Sequence, residues 1–542
     1  MEKGNDLSRS VLFKGDRRVK RPNFLLGIVA GCVLGFVPTV TFARDGYQPG
    51  SRTPLPLVRS GDALPLLAAN STHNDGCPGP REAPGDHADN CVACGLAEKS
   101  FLGRFFDAYI QGDKGTDLAG EVGPGPMRRL PPAPFSSPPF PMSEHIGPVI
   151  GVPDSTPNNL PLMKALSGTD IGKALRNSRV SAYGWIVPSF NASTSRDTNI
   201  PLTYPIVPNS AQLSQAVFTV ERGLDTAQTS RLDWGFRFTN LYGNDYRYTA
   251  AKGIFGGQLL DRNQLYGYDP MEFYGQVYVP WVAEGMVVKV GRFMSPADIE
   301  AQLAPNNYLV THSVMFSYDP FTFTGILADV RLNSQWTIEL GVHGGNDMAA
   351  WSESAQPNGH AMVKWLSKDN KDAVWVGANS VGTGKYSKGH DNLQHMVGVW
   401  SHRFNDTFHM MSEAYYIYQF DAAKGGTCML GPTRRFASGG GCGPTIPGLS
   451  DSIGVVNYFQ VKLSDKDYVT IRNDALADLK GQRTGFKTVY SSHTLGWSHW
   501  LSNELIVRPE IRYDHSWSHV SPYDNGTSKD QFVFLTDVII KF

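Results

Sequence analysis

Four side chains in one short stretch could do metal or redox chemistry. CPGPREAPGDHADNCVACG, residues 77–95, carries Cys77, His87, Cys91 and Cys94, and His73 stands just ahead of it. Thiolate and imidazole groups are zinc ligands, and Cys91-x-x-Cys94 with His87 four residues earlier is the compact part. No histidine follows Cys94 closely, which speaks against covalent haem attachment. In an oxidising compartment the same residues read more simply as one disulfide and a spare thiol, with metal binding the lesser reading. Cys428 and Cys442 share a long Gly-rich connection, so a local disulfide between them is expected. His493, His499, His515 and His519 crowd the last third of the chain. A catalytic dyad or a metal path could use them, but so could the rim of a barrel near its aromatics. No nucleophile with its base and orienting acid can be read from spacing. No P-loop, dinucleotide glycine motif or HExxH occurs. The expectation is a protein without enzymatic activity or cofactor.

The elements that would position such groups must come from a 542-residue chain with 41% apolar and 18% charged residues and a net charge of −1. That balance gives no nucleic-acid surface. The mean hydropathy of −0.26 leaves no room for a bundle of transmembrane helices. Residues 1–43 read as an export signal. Lys14, Arg17, Arg18, Lys20 and Arg21 form a basic leader, FLLGIVAGCVLGFV (24–37) a short apolar core, and Thr41-Phe42-Ala43 a small-residue cleavage site. Processing at Cys32 as a lipoprotein is a rival, because VAGC resembles that cleavage box. Residues 44–165 are rich in Pro, Gly and Asp and cannot bury much apolar surface. Within them GLAEKSFLGRFFDAYIQ (95–111) puts Leu102, Phe105, Phe106 and Tyr109 at helical spacing, and a second short helix is expected near 160–177.

From Arg179 onward the period becomes two. In NELIVRPEIRYDHSW (503–517) Leu505, Val507, Pro509, Ile511 and Tyr513 share one parity, and Glu504, Arg508, Glu510, Arg512 and Asp514 the other. RLDWGFRFTN (231–240) and QWTIELGVHG (335–344) alternate in the same way. One face of each strand must meet an apolar phase and the other water. Trp281, Trp336, Trp400, Trp500 and Trp517 fall at strand ends, as in an interfacial girdle. About sixteen strands can be counted between 179 and 542. The connections alternate between short (such as NSQ, NDT and SNE) and long (such as 242–271, 295–319 and 421–452). An even strand count with short turns on one side and long loops on the other is the plan of an outer-membrane barrel. The fold class is therefore all-β: a transmembrane antiparallel β-barrel over 166–542, after a largely irregular N-terminal segment with one or two short helices. FVFLTDVIIKF (532–542) reads as the closing strand, with Phe542 as an assembly signal.

From 179 to 542 the chain also resembles the OmpL-like β-barrel porins, the BBP2 family. The likeness rests on SRVSAYGWI (178–186), KVGRFMSP (289–296), THSVMFSYDPFTFTG (311–325) and RNDALADLKGQRTG (472–485). It implies an outer-membrane channel of a Gram-negative-type envelope for passive transport, with no catalytic residues to carry over. Its partners would be outer-membrane lipid, small hydrophilic solutes or ions, the barrel-assembly machinery and, by the habit of general porins, two further copies in a homotrimer.

A barrel of about sixteen strands is wide enough for water, so selectivity falls to whatever narrows it. The third long connection, 295–320, is the expected constriction. It carries Asp298, Glu300 and Asp319 and a helical turn at 296–303. The opposing wall would present Arg231, Arg237, Lys289, Arg472, Arg508, Glu510 and Arg512, which could set up a transverse field or simply pair among themselves. Two rival functions follow from the same sequence. In one, the barrel is structural and is tethered or plugged by residues 44–165. In the other, it is an outer-membrane enzyme using its histidine-rich rim.

Overall fold

The computed structural model describes residues 100–110, 150–151, 160–201, 204–369, 371–385, 391–426 and 443–542. The leader, the Cys77–Cys94 cluster and the Cys428–Cys442 pair lie outside the described residues.

The alternating segments form sixteen antiparallel strands. They are β1 (Val180–Ser193), β2 (Ala211–Arg222), β3 (Asp233–Gly243), β4 (Gly267–Val279), β5 (Met286–Met294), β6 (Thr322–Arg331), β7 (Trp336–Asn346) and β8 (Asn358–Leu366). The second half contains β9 (Asp372–Val381), β10 (Gln394–Arg403), β11 (Phe408–Phe420), β12 (Leu449–Lys462), β13 (Asp467–Asp478), β14 (Thr488–Trp500), β15 (Leu505–Ser516) and β16 (Asp530–Lys541). Each pairs with its neighbours in sequence, and β16 returns to pair with β1, so the sheet is a closed barrel. Closure matters because an unpaired strand edge could not face hydrocarbon. The seam runs from Trp185 opposite Lys541 to Ser193 opposite Val533. Phe542 extends it: its N–H donates to Gly184 O at 2.8 Å, and its carbonyl accepts from Gly184 N at 3.0 Å. Pro188 lies where the β1–β2 register shifts, a place where a strand tolerates a residue with no N–H.

The outward parity is apolar. Ile186, Phe218, Trp234, Phe238, Leu340, Ile511, Phe532 and Phe534 are all exposed, which suits a lipid-facing band. Trp281, Trp336 and Trp517 are exposed as a girdle requires, whereas Trp500 is buried. Its parity in β14 is inward, and it packs edge-on against Tyr468.

The inward parity departs from the simple expectation of polar against water. Val533, Leu535 and Ile539 of β16 face inward and are fully buried, as are Ile506, Val456 and Leu476. Such residues need an apolar partner inside the barrel, and the connection between β5 and β6 supplies it: Val310 packs on Val533 and Leu535.

Among the described residues, three short helices precede the barrel. α1 (Phe101–Ile110) is the helix expected near 95–111, but its buried face is different. Arg104 and Ala108 are buried, while Leu102 and Phe106 are exposed. The Arg104 guanidinium turns the helix, donating from Nε to Ala165 O of α2 (Pro161–Leu166) at 2.8 Å. Met163 of α2 is buried, and its sulfur accepts from Ala182 N at the start of β1. α3 (Asp170–Asn177) is capped by Thr169, whose hydroxyl accepts from Gly172 N. Tyr109 of α1 donates its hydroxyl to Lys541 O. These elements therefore stand at the short-turn end, where β1 begins and β16 stops.

Candidate functional site

The connection from Ser295 to Phe321 enters the barrel instead of projecting from it. Nearly every residue in it is buried, from Asp298 and Ile299 through Leu309 and Val314 to Tyr318. No helical turn forms at 296–303, in contrast to the sequence expectation. The only regular pieces of the loop are single 3-10 turns at Ala304–Asn306 and Phe316–Tyr318. A chain this irregular cannot satisfy its own peptide groups, so the wall must do it.

The wall does so largely with charged side chains from β15 and β13. Glu510 accepts from Val310 N at 2.7 Å and Thr311 N at 3.1 Å, and also from the Thr311 hydroxyl. Arg508 donates to Ala304 O (2.9 Å) and Asn307 O (2.8 Å), while a bidentate pair with Asp537 of β16 holds its guanidinium. Arg512 donates to His312 O and pairs with Asp514. Arg472 donates to Thr311 O and pairs with Asp474, whose other oxygen accepts from Val314 N at 2.8 Å. Neutral groups complete the set. Ser498 donates to Tyr308 O, Tyr415 to Met315 O, and Gln215 to Gln302 O. Asn379 of β9 reaches Ser295 at 2.8 Å. Two inward glycines let the loop lie directly on the wall. A Cβ on Gly454 would come within 2.8 Å of Met315 Cβ, and one on Gly496 would strike the Leu309 side chain.

The acids and bases read from the sequence thus fall into groups. Glu300 is consumed within the docked loop, accepting from Ser313 N (2.8 Å) and the Tyr458 hydroxyl (2.6 Å), with Arg472 at 3.7 Å. Asp298 and Asp319 lie together near Glu413 of β11. Arg472, Arg508, Glu510 and Arg512 are buried beneath the loop, so they do not face an open passage. Nor do they pair chiefly with one another along β15: Arg508 uses Asp537 across the strand pair, and Arg512 uses Asp514. Arg231 is displaced from the expected wall. It lies in the β2–β3 connection, ahead of β3, is exposed, and pairs with Asp225 at 2.9 Å.

Arg237 and Lys289 are different. Arg237 keeps about a third of its side chain exposed while pairing with Glu221 at 2.6 Å and lying 3.8 Å from Glu272. Lys289 is half-buried, with its ammonium 4.6 Å from the Tyr274 ring centre and 5.6 Å from that of Phe293. Beyond them the wall carries a separate network that sequence reading did not find. Lys364 bridges Glu339 (2.7 Å) and Asp329 (3.4 Å), and His360 meets Glu339 at 2.6 Å. These residues stand on β6, β7 and β8, and only the register brings them opposite one another. The rim histidines are dispersed: His499 pairs with Asp467, His515 with Asp530, and His493 with Asn473 on outward faces.

Residues 179–542 match the family model described as "Putative beta-barrel porin-2, OmpL-like". No curated protein matches the chain. Among solved structures, the chain is similar to an anion-selective porin from Comamonas acidovorans, at 8% identity and a TM-score of 0.43. That match covers 67% of this chain and 99% of the porin. It is also similar to the outer-membrane channel DcaP of Acinetobacter baumannii (9% identity, 67% and 97% covered, TM-score 0.41). A third is OmpT of Vibrio cholerae in its trimer form (8% identity, 67% and 99% covered, TM-score 0.40).

Proposed function

This chain belongs to the OmpL-like β-barrel porin family and is an outer-membrane channel for passive diffusion, and we propose that the loop 295–320 is its constriction. The observation that carries this reading is the loop's path inside the barrel, fastened by Arg508, Glu510, Arg512, Arg472 and Asp474. On this reading the buried charges fix the loop, and solutes pass on the side of Arg237 and Lys289. Those two side chains keep exposed surface on the inward face of β3 and β5. Small hydrophilic solutes and ions are the cargo, because the surface they meet there is charged and hydrated. A homotrimer and delivery by the barrel-assembly machinery, with Phe542 in its recognition signal, complete the proposal. The histidines receive no catalytic role in it.

A second reading has its own observation. Ile150 is buried against Leu224, Tyr278 and Val287, and its carbonyl accepts from Arg331 at 2.7 Å. Gly151 N donates to Thr226 at 3.0 Å. The N-terminal segment therefore reaches the inner wall at the short-turn mouth, which supports a partial plug or tether.

Planar-bilayer recording of the full chain and of a chain lacking 44–165 separates the two. Stable open steps from the full chain fit the diffusion channel. Silence from the full chain with steps from the shortened one fits the plug. Silence from both, with the barrel folded, refutes the constricted-channel reading.

A further inference from the structure

Three carboxylates meet where the inward loop crosses β11. One ligand oxygen from each of Asp298, Asp319 and Glu413 lies within 4.8 Å of the other two, and all three residues are buried. Asp319 is the telling member. It is 2% exposed, and neither of its carboxylate oxygens has a hydrogen-bond partner. It is aimed into the cluster and makes no ion pair among the described residues. Glu413 contributes Oε2 to the Ile299 N–H at 2.8 Å, a neutral donor that leaves its charge uncompensated. Other acids of this lumen show the contrast, because each has a cation beside it: Glu300 and Asp474 meet Arg472, Asp537 meets Arg508 and Asp514 meets Arg512.

Like charges this close and this dry repel strongly, and a buried carboxylate without a partner is among the costliest arrangements in a protein. Either protons or a cation must neutralise them. All the ligand atoms are hard carboxylate oxygens, which select calcium or magnesium over softer metals. Calcium holds its oxygens at about 2.3–2.6 Å, so two ligands on opposite sides of it lie about 4.6–5.2 Å apart. Magnesium, at about 2.0–2.1 Å, would require the cluster to contract. We propose that Asp298, Asp319 and Glu413 form a calcium site that clamps the inward loop to β11. Two of its ligands come from the loop and one from the wall, so the ion adds an ionic crosslink to the hydrogen bonds from Ile299 N to Glu413 and from Tyr415 to Met315 O that also tie the loop to β11. The inference rests on the inward fold of the loop read above as the constriction.

The test uses the full chain, refolded into detergent micelles and stripped with EDTA, with radioactive calcium in equilibrium dialysis. The expected result is one calcium ion per chain that is lost in Asp319→Asn. Thermal unfolding gives a second readout. Calcium should raise the melting temperature of the unaltered protein and leave that of Asp319→Asn unmoved. In EDTA, Asp319→Asn should melt no lower than the unaltered protein, since it relieves repulsion. If that variant does not fold, Asp298→Asn carries the same expectation. No bound calcium, or equal binding by both proteins, would overturn the site and leave shared protons as the explanation. Binding is read without current, so a barrel that takes up calcium but does not conduct would keep this inference and sink the diffusion reading.

Discussion

Glu510 is the point at which the loop's attachment can be cut most selectively. Its carboxylate accepts from two loop N–H groups and one hydroxyl. In Glu510→Ala the N–H groups of Val310 and Thr311 lose their acceptor and stay inside the barrel. An unsatisfied buried N–H costs about 1–3 kcal/mol, so the pair costs about 2–6 kcal/mol. The loss falls on local opening of residues 308–314, because the β14–β15–β16 ladder does not involve the side chain. Opening of such a segment is in equilibrium with the docked form. A thiol reporter reads that equilibrium directly. Val314 is buried and close to cysteine in size, so Val314→Cys reports exposure to a small, impermeant thiol reagent. At a factor of ten per 1.4 kcal/mol, the lower bound predicts labelling at least about 30-fold faster in Glu510→Ala. The background is the same protein without the reporter. Equal labelling rates in the two backgrounds would refute the claim that the wall carboxylate holds the loop.

The other expectations concern the wall, the passage and the fit of the loop. Arg508→Met strands Asp537 in a buried site and should cost about 3–5 kcal/mol in urea unfolding of the refolded barrel, with Arg508→Met/Asp537→Leu recovering most of it. An unchanged midpoint in the single variant would show that the pair is not dry. Lys289→Glu should move the zero-current potential in a salt gradient toward cation preference. No movement would mean that ions do not pass its ammonium. Gly454→Val forces a side chain against Met315 and Tyr415, so it should speed Val314→Cys labelling while folded-barrel migration on gels persists. Unchanged labelling would show that the loop accommodates the added bulk.

The strands were legible because each satisfies two phases at once. An alternating run such as Leu505 to Tyr513 has few other ways to be soluble in both lipid and water. The turns were legible for the same reason, as interruptions of that period. What could not be read was the inner phase. Leu535 and Val533 flank Phe534 in sequence, so FVFLTDVIIKF looks apolar on both faces near its start, and only the docked loop explains why. The helix at 101–110 was placed correctly by its spacing. Its orientation was not, because Arg104 finds a carbonyl in α2 that periodicity cannot anticipate. Glu413 carried no signal either: it is one acid in HMMSEAYYIY, and its meaning depends on which loop residue arrives opposite it. The same holds for Glu221, Glu272, Glu339 and Lys364, whose partners are fixed by register and not by spacing.

This separation between what alternation encodes and what register decides bears on how charge works in the barrel. A charge on an inward parity position looks like a selectivity element, and Arg472, Arg508 and Arg512 were natural choices. Their carboxylate partners and the loop carbonyls they hold leave them no surface for a solute to meet. A guanidinium that spends its donors on Ala304 O and Asn307 O acts on permeation only through where it puts the loop. Direct action needs a charge that is inward and still partly exposed, as Arg237 and Lys289 are. Substitutions beneath the loop should therefore change conductance and noise together, through loop position. Substitutions at Lys289 should change ion preference with the loop in place. A measurement that reads both quantities on the same channel distinguishes an anchor from a filter, whatever the sign of the residue.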